Sequence, residues 1–426
     1  MSFLNPKVIS VFLFTATYLF IIFFYNKKII FVWISVFILL LLGILNPKQA
    51  LQAIDWNVIL LYYGMLFVSE VFLFSKMPDY LATLFASRAK RMSAAMVIIC
   101  AFTGFISIAL ENVAVVLLVA PIAMSISKKC DLNPIPLFIG MAVSSNLQGA
   151  ATLIGDPPSM LLAGYAKLTF NDFFIFKGKP GVFFAIQIGA LVSFIVLFLL
   201  FKKYNKKMPR LEKERYLSIV PALLVIVLIT TLIVSSSIEH NFTYMTGLIC
   251  SVFGLLSFIW YTVKNNNKNL KEFLNKLDWQ TGLFLIGVFI LVKSLSVVGI
   301  LDDIAALILV LSGQNVFIVF LLIVWISVFI SAFIDNVPFL MAMLPVIQLI
   351  SAKLGINPYP LFISLLIGAS IGGNITPVGA SANIVAMGIL RKNGYSVRFF
   401  DFVKIGFPFT IATVTASSFF IWFVFF

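Results

Sequence analysis

The sequence predicts an all-α polytopic membrane protein: two inverted repeats of five spanning helices, each with a re-entrant hairpin and an unwound broken helix. Three observations carry that expectation. The 426 residues are 62% hydrophobic and 11% charged, with a mean hydropathy of +1.10, against about 25% charge in a soluble globule. Apolar runs of about 20 residues, long enough to cross hydrocarbon as helices, recur between short polar breaks. The acid-amide pair Glu111-Asn112 returns 224 positions later as Asp335-Asn336. It opens a gapless repeat in which 15 of the 50 positions from 111 to 160 match their partners from 335 to 384.

The first repeat is read over 1–201. Its spans fall at 8–25, 29–45 and 57–75, followed by an apolar stretch at 93–127 interrupted at Glu111, a broken helix at 136–165 and a last span at 181–201. The first run lacks a small-residue cleavage site and leads straight into another run, so it is a retained span rather than a signal peptide. A basic linker, 202–216, precedes the second repeat, 217–426. Its spans at 217–236, 243–263 and 279–298 lead to an interrupted stretch at 316–352, a broken helix at 360–389 and a closing span at 405–425. The pairs Asp55-Trp56 and Asp278-Trp279, 223 apart, extend the repeat toward the start of each half.

The stretch 93–127 is basic at both ends, from Arg88 to Arg91 and at Lys128-Lys129. Two half-length helices entering and leaving on one side satisfy that pattern, with Glu111-Asn112 at the hairpin tip, and the repeat asks the same of Asp335-Asn336. Five crossings per half is an odd number, so the halves run in opposite senses, the plan of many secondary transporters with a midplane site. Lys and Arg concentrate in cytoplasmic loops. With both termini extracytoplasmic, 23 of the 30 basic residues fall inside, 6 outside, and Lys293 within a span. The expected location is the cell membrane in that orientation. The net charge of +14 then faces anionic lipid of the bilayer, and nucleic acid is not needed as a partner.

Chemistry is expected where helices break. The segment from Thr152 to Ser159 places Gly155, a capping Asp156 and Pro157-Pro158 in mid-membrane. Proline lacks a backbone donor and suits a first helical turn after an acidic cap, so a new half-helix begins there with partial positive charge at its N-terminus. Asn374 to Asn383, with Thr376, Gly379 and Ser381, does the same in the second half. A packed proline kink explains either break alone, but two at equivalent places in two repeats point to a transport site.

Glu111 and Asp335 sit in apolar surroundings, where insertion scales charge about 2.5–3.5 kcal/mol for an acid at mid-helix and where such residues usually mark ion pathways. The plainer account is a carboxylate held by backbone amides at a hairpin tip. Glu70 and Lys293 occupy equivalent positions and are candidates for coupling, or for snorkelling to a helix end. His240, the only histidine, falls in a short loop, which leaves carboxylates to carry any coupled proton. Cys100, Cys130 and Cys250 have neither disulfide-framework nor zinc spacing, and no glycine-rich nucleotide loop is present. No catalytic residues are identified and an enzyme is not expected. No cofactor is expected beyond Na⁺ or H⁺ as coupling ion.

Glu111-Asn112-Val113, Asn146 with Gly149 to Pro158, Asp335 to Pro338 and Gly373 to Asn383 resemble the ion transporter superfamily. The resemblance is nearest the branch of the melanosomal P protein, the arsenite efflux permeases and the sodium/proton antiporters, itself related to the divalent anion:sodium symporters. It spans residues 50 to 410. It implies hairpins and unwound helices that form substrate and sodium sites. Here those would be Glu111, Asn112, Asn146, Thr152, Gly155, Asp156, Asp335, Asn336, Asn374, Thr376, Gly379, Ser381 and Asn383, with Na⁺ near Asn112, Asn146 and Asn336. Relatives that carry dicarboxylates have Ser-Asn-Thr at both tips. Glu111-Asn112-Val113 and Asp335-Asn336-Val337 depart from that. Two tip carboxylates repel a dianion and suit Na⁺, H⁺ or a neutral hydroxylated species such as arsenous acid.

The expected function is secondary active transport of a small inorganic ion or oxyanion, coupled to H⁺ or Na⁺ by alternating access. A sodium/proton antiporter, titrating at Glu111, Asp156 and Asp335, is the alternative. A sodium-coupled dicarboxylate symporter, an intramembrane enzyme and a channel rank below. A homodimer, and a cytoplasmic ATPase subunit as energy source, are partners that the sequence leaves open.

Overall fold

The computed structural model describes residues 5–24, 27–207, 215–238, 244–265 and 270–426. His240 and the centre of the basic linker lie outside the described residues. In the first half the helices are α1 (Pro6–Phe23), α2 (Lys28–Leu41), α3 (Pro47–Ala53), α4 (Trp56–Phe74), α5 (Met77–Ala86), α6 (Met92–Ser107), α7 (Asn112–Lys129), α8 (Ile135–Gly149), α9 (Pro157–Ala166) and α10 (Val182–Phe201). The second half has α11 (Val220–Ser237), α12 (Met245–Lys264), α13 (Leu270–Lys276), α14 (Trp279–Val297), α15 (Ile300–Ser312), α16 (Val316–Ser331), α17 (Asn336–Leu354), α18 (Tyr359–Gly372), α19 (Ser381–Lys392) and α20 (Phe399–Phe425). Among the described residues, eight of these are long and apolar enough to cross a membrane.

Local chemistry explains the boundaries. Asp55 and Asp278 cap α4 and α14, each accepting from backbone N–H groups of the first turn, as short acidic side chains do at helix starts. Each stretch interrupted by an acid-amide pair is two helices, α6–α7 and α16–α17, and each broken helix is a pair, α8–α9 and α18–α19. The short helices α3, α5, α13 and α15 escape a search for spans because 7 to 13 residues are too few to cross hydrocarbon.

The halves interlock. Helix α2 packs on α14 and α12 on α4, while α10 and α20 pack on each other. Glycines allow the first two crossings. A Cβ at Gly64 of α4 would stand 2.5 Å from the Ser251 backbone nitrogen of α12, and one at Gly287 of α14 would strike Val32 of α2, so only a bare backbone permits that approach. Ser417 of α20 donates to the Ala185 carbonyl of α10 at 2.8 Å. The described part of the linker clips the open end of the first hairpin: Met92 N donates to Lys206 O at 2.9 Å, and Lys206 Nζ donates to the Cys130 carbonyl at 3.0 Å. At the base of α17–α18, the Tyr359 hydroxyl donates to Asp172 O at 2.9 Å. Outward, α11 presents Leu223, Ile226, Val227 and Val234, an apolar surface that a bilayer solvates and water does not.

Candidate functional site

The two tips are built alike. Helix α6 ends with an orphan carbonyl at Ile108 and α16 with one at Ala332, as every helix C-terminus must. The Thr152 hydroxyl donates to the first and the Thr376 hydroxyl, 224 residues on, donates to the second. Thr152 and Thr376 therefore tie each unwound segment to its hairpin, and neither lines the chamber between the tips. Gly155 and Gly379 do related work: a Cβ on Gly155 would meet Ser107 O at 2.9 Å and overlap Gly149 O, and one on Gly379 would stand 2.5 Å from Gly373 O.

At the first tip Asn112 opens α7. Its Oδ1 accepts from the Ser107 hydroxyl at 2.9 Å, and Ser107 and Ser145 share a hydrogen bond of 2.6 Å. Gly149 makes room, since a Cβ there would stand 2.9 Å from both Cγ and Nδ2 of Asn112 and closer still to Oδ1. Behind the tips three buried amides join the halves. Asn146 Nδ2 donates to Asn374 Oδ1 at 2.8 Å and to Asn383 Oδ1 at 3.0 Å. Asn383 Nδ2 donates to the Gly373 and Thr376 carbonyls, both at 2.9 Å, and Asn374 Nδ2 to the Val143 carbonyl at 3.1 Å. Irregular backbone at this depth needs such partners, because hydrocarbon offers none.

Between the tips lies a chamber of about 50 Å³ lined by Lys28, Glu111, Asn112, Val113, Asn146, Asp156, Pro157, Pro158, Asp278, Thr281, Phe284, Asp335, Asn336, Val337, Ala380, Ser381 and Ala382. One water needs about 10–15 Å³ on this scale, so the chamber holds a few water-sized species. Lys28 opens α2 at its wall, and five more helices start there. Glu111 caps α7 by accepting from Ala114 N at 2.9 Å, Asp335 caps α17 from Val337 N at 3.2 Å, Asp156 caps α9 from Ser159 N at 3.1 Å, and Asp278 caps α14 from Thr281 N at 3.1 Å. The fifth, α19, follows Ala380 and has no side-chain cap. Helix N-termini stabilise negative charge, which helps hold Asp156 buried and Glu111 and Asp335 half-buried at the wall, whereas Asp278 is exposed. Asp156 is also approached by the Ser159 hydroxyl and the Asn112 amide, although its Oδ2 ends without a well-aligned hydrogen bond. Among the described residues, no three His, Cys, Asp or Glu side chains gather closely enough to hold a metal ion. A cation here would take carboxylate oxygen together with amide and backbone oxygen.

Glu70 and Lys293 lie outside the chamber. Lys293 lines a separate, wider crevice of about 490 Å³ with Asp55, Trp56, Tyr165, Met341 and Pro345. Glu70 is half-buried on α4 and absent from the chamber's lining. Lys28, Asp278, Thr281 and Phe284 line the chamber but escape the sequence reading. Lys28 counts there as loop charge because it follows the first span, yet it is 8% exposed on the first turn of α2. Asp278 registers there only as a repeat marker.

Comparison with known proteins agrees with this architecture. Residues 11–355 match the family model described as CitMHS, citrate transporter. An uncharacterized transporter of Mycobacterium bovis is 30% identical over 383 residues, covering 87% of this chain and 86% of its own. The human P protein is 26% identical over 451 residues, 87% of this chain and 53% of its own, so the chain spans about half of that relative. The crystal structure of the Alcanivorax borkumensis YdaH transporter, whose topology is described as unusual, superposes with a TM-score of 0.59 at 13% identity, covering 88% of this chain and 86% of that one. Sequence and structure together place the chain in the CitMHS citrate transporter family of the ion transporter superfamily, as a polytopic membrane transporter.

Proposed function

We propose that the protein is a secondary active transporter that moves a small inorganic ion or oxyanion, coupled to H⁺ or Na⁺ by alternating access of two inverted repeats. The observation that carries this reading is the set of helix N-termini around one small chamber, four of them capped by acids and that of α19 without a side-chain cap. The acid side, Glu111 and Asp156 with the amide oxygen of Asn112, suits a proton or a hard cation. The α19 start at Ser381-Ala382, without an acidic cap, suits an anion. Citrate, which gives the family its description, meets four carboxylates and one ammonium in about 50 Å³, so charge and size both work against it.

Sodium/proton antiport is the second reading, favoured by the excess of acids over Lys28 in the chamber. The deciding experiment reconstitutes the purified protein in liposomes and imposes Na⁺ and pH gradients in the presence of phosphate, arsenite, chloride or citrate. Uptake of an inorganic solute driven by either cation gradient supports the proposal. Na⁺ flux coupled to H⁺ with no cosolute supports antiport. Transport of citrate alone overturns both.

A further inference from the structure

The two tips differ in one respect that the repeat does not require. Asp335 Oδ2 stands 3.9 Å from Lys28 Nζ, with both side chains 10% exposed, and the ammonium lies 4.6 Å from the centre of the Phe284 ring. Among the described residues Glu111, at the first tip, forms no salt bridge.

The crossings of α2 with α14 and of α12 with α4 give the counterpart of Lys28. Val32 meets Gly287 as Cys250 meets Gly64, and Trp33 Nε1 donates to Leu283 O as Ser251 Oγ donates to Leu60 O. That register puts Thr246 where Lys28 would fall, so only one half carries the ammonium. A buried carboxylate needs a compensating positive charge, and an ion taken from water or an ammonium on a side chain can supply it equally.

We propose that Lys28 is a built-in substitute for a coupling cation at the second tip. Its ammonium occupies the charge of Asp335, so a solution cation is taken only on the Glu111 side. This rests on the cation-coupled reading above and deepens it: Lys28 sets how many cations the chamber takes. Removing the ammonium turns the Asp335 tip into a second site for a monovalent cation.

Thermal unfolding of the purified protein in detergent tests this without a transport substrate. The wild type, Lys28→Met and Lys28→Met/Asp335→Asn are compared in NaCl against choline chloride at constant ionic strength, and across pH in choline. Lys28→Met should start with a lowered Tm and regain it with Na⁺, or with acidification if the replaced cation is a proton. The double variant should lose that added response. A Lys28→Met protein whose response matches the wild type overturns the proposal. So does one that fails to fold at every Na⁺ concentration and pH, whether or not the double variant folds, since the lysine is then a structural counter-charge. Wild-type liposomes that move none of the tested solutes would sink the proposed function and leave this result standing.

Discussion

Gly149→Ala separates the site from the scaffold that holds it. The added methyl would stand 2.9 Å from Asn112 Cγ and Nδ2 and closer to Oδ1, so the Asn112 side chain must swing away. It then gives up the 2.9 Å hydrogen bond from Ser107, worth about 1 kcal/mol net, within a total overpacking cost of about 1–3 kcal/mol. Gly373→Ala, at the equivalent position, meets the Gly379 carbonyl at 2.6 Å. Backbone cannot rotate out of the way, so this variant should sit at or beyond the upper end of that range. Gly388→Ala, with nothing within 4 Å of the added methyl, should gain about 0.5–1 kcal/mol from helix stiffening. Thermal unfolding in detergent ranks the three, and gradient-driven flux in liposomes reports function. The expected pattern is a modest Tm loss with near-complete loss of transport for Gly149→Ala, a large Tm loss for Gly373→Ala, and a small Tm gain with unchanged transport for Gly388→Ala. Wild-type transport and stability in Gly149→Ala would refute the placement of Asn112 in the transport site.

Glu111→Gln keeps an N-cap acceptor for Ala114 but loses its charge, and it should abolish cation-driven flux while expression and Tm stay near wild type. Normal flux would reduce Glu111 to a tip anchor. Asn146→Ala leaves two buried carboxamide oxygens without their donor, at about 1–3 kcal/mol each, and should lower Tm clearly in any salt. A Tm equal to wild type would mean the amide bridge does not hold the halves together. Lys293→Met should leave the cation dependence of flux unchanged, because Lys293 lines the wide crevice and not the chamber. A changed Na⁺ dependence would tie that crevice to coupling. With native cysteines removed, an impermeant thiol reagent should label Ser237→Cys in intact cells and spare Asn205→Cys. Both positions are exposed, and the reverse pattern would overturn the proposed orientation.

The helical membrane class follows from sequence because hydrocarbon leaves an apolar chain few choices, and backbone donors and acceptors must be paired within the segment. The acids at the tips were legible for the same reason: Glu111 and Asp335 stand out against apolar neighbours, and an acid in that setting needs a helix start or a partner. Pro157, Pro158 and Gly155 likewise mark the break by what their backbones cannot do.

Tertiary structure decided which charges meet. Lys28 and Asp335 lie 307 positions apart and come together because α2 crosses onto α14 of the other half. Nothing local distinguishes Lys28 from Lys27. Lys293 looked like the embedded cation because its span is continuous, yet its helix turns it toward a different cavity. The bridge from Asn146 to Asn374 and Asn383 has no counterpart in the repeat, since Ser370, Ala150 and Ser159 occupy the equivalent positions, so periodicity could not find it. A repeat in sequence records where backbone geometry recurs, whereas the contacts between halves depend on three-dimensional packing of side chains that need not repeat.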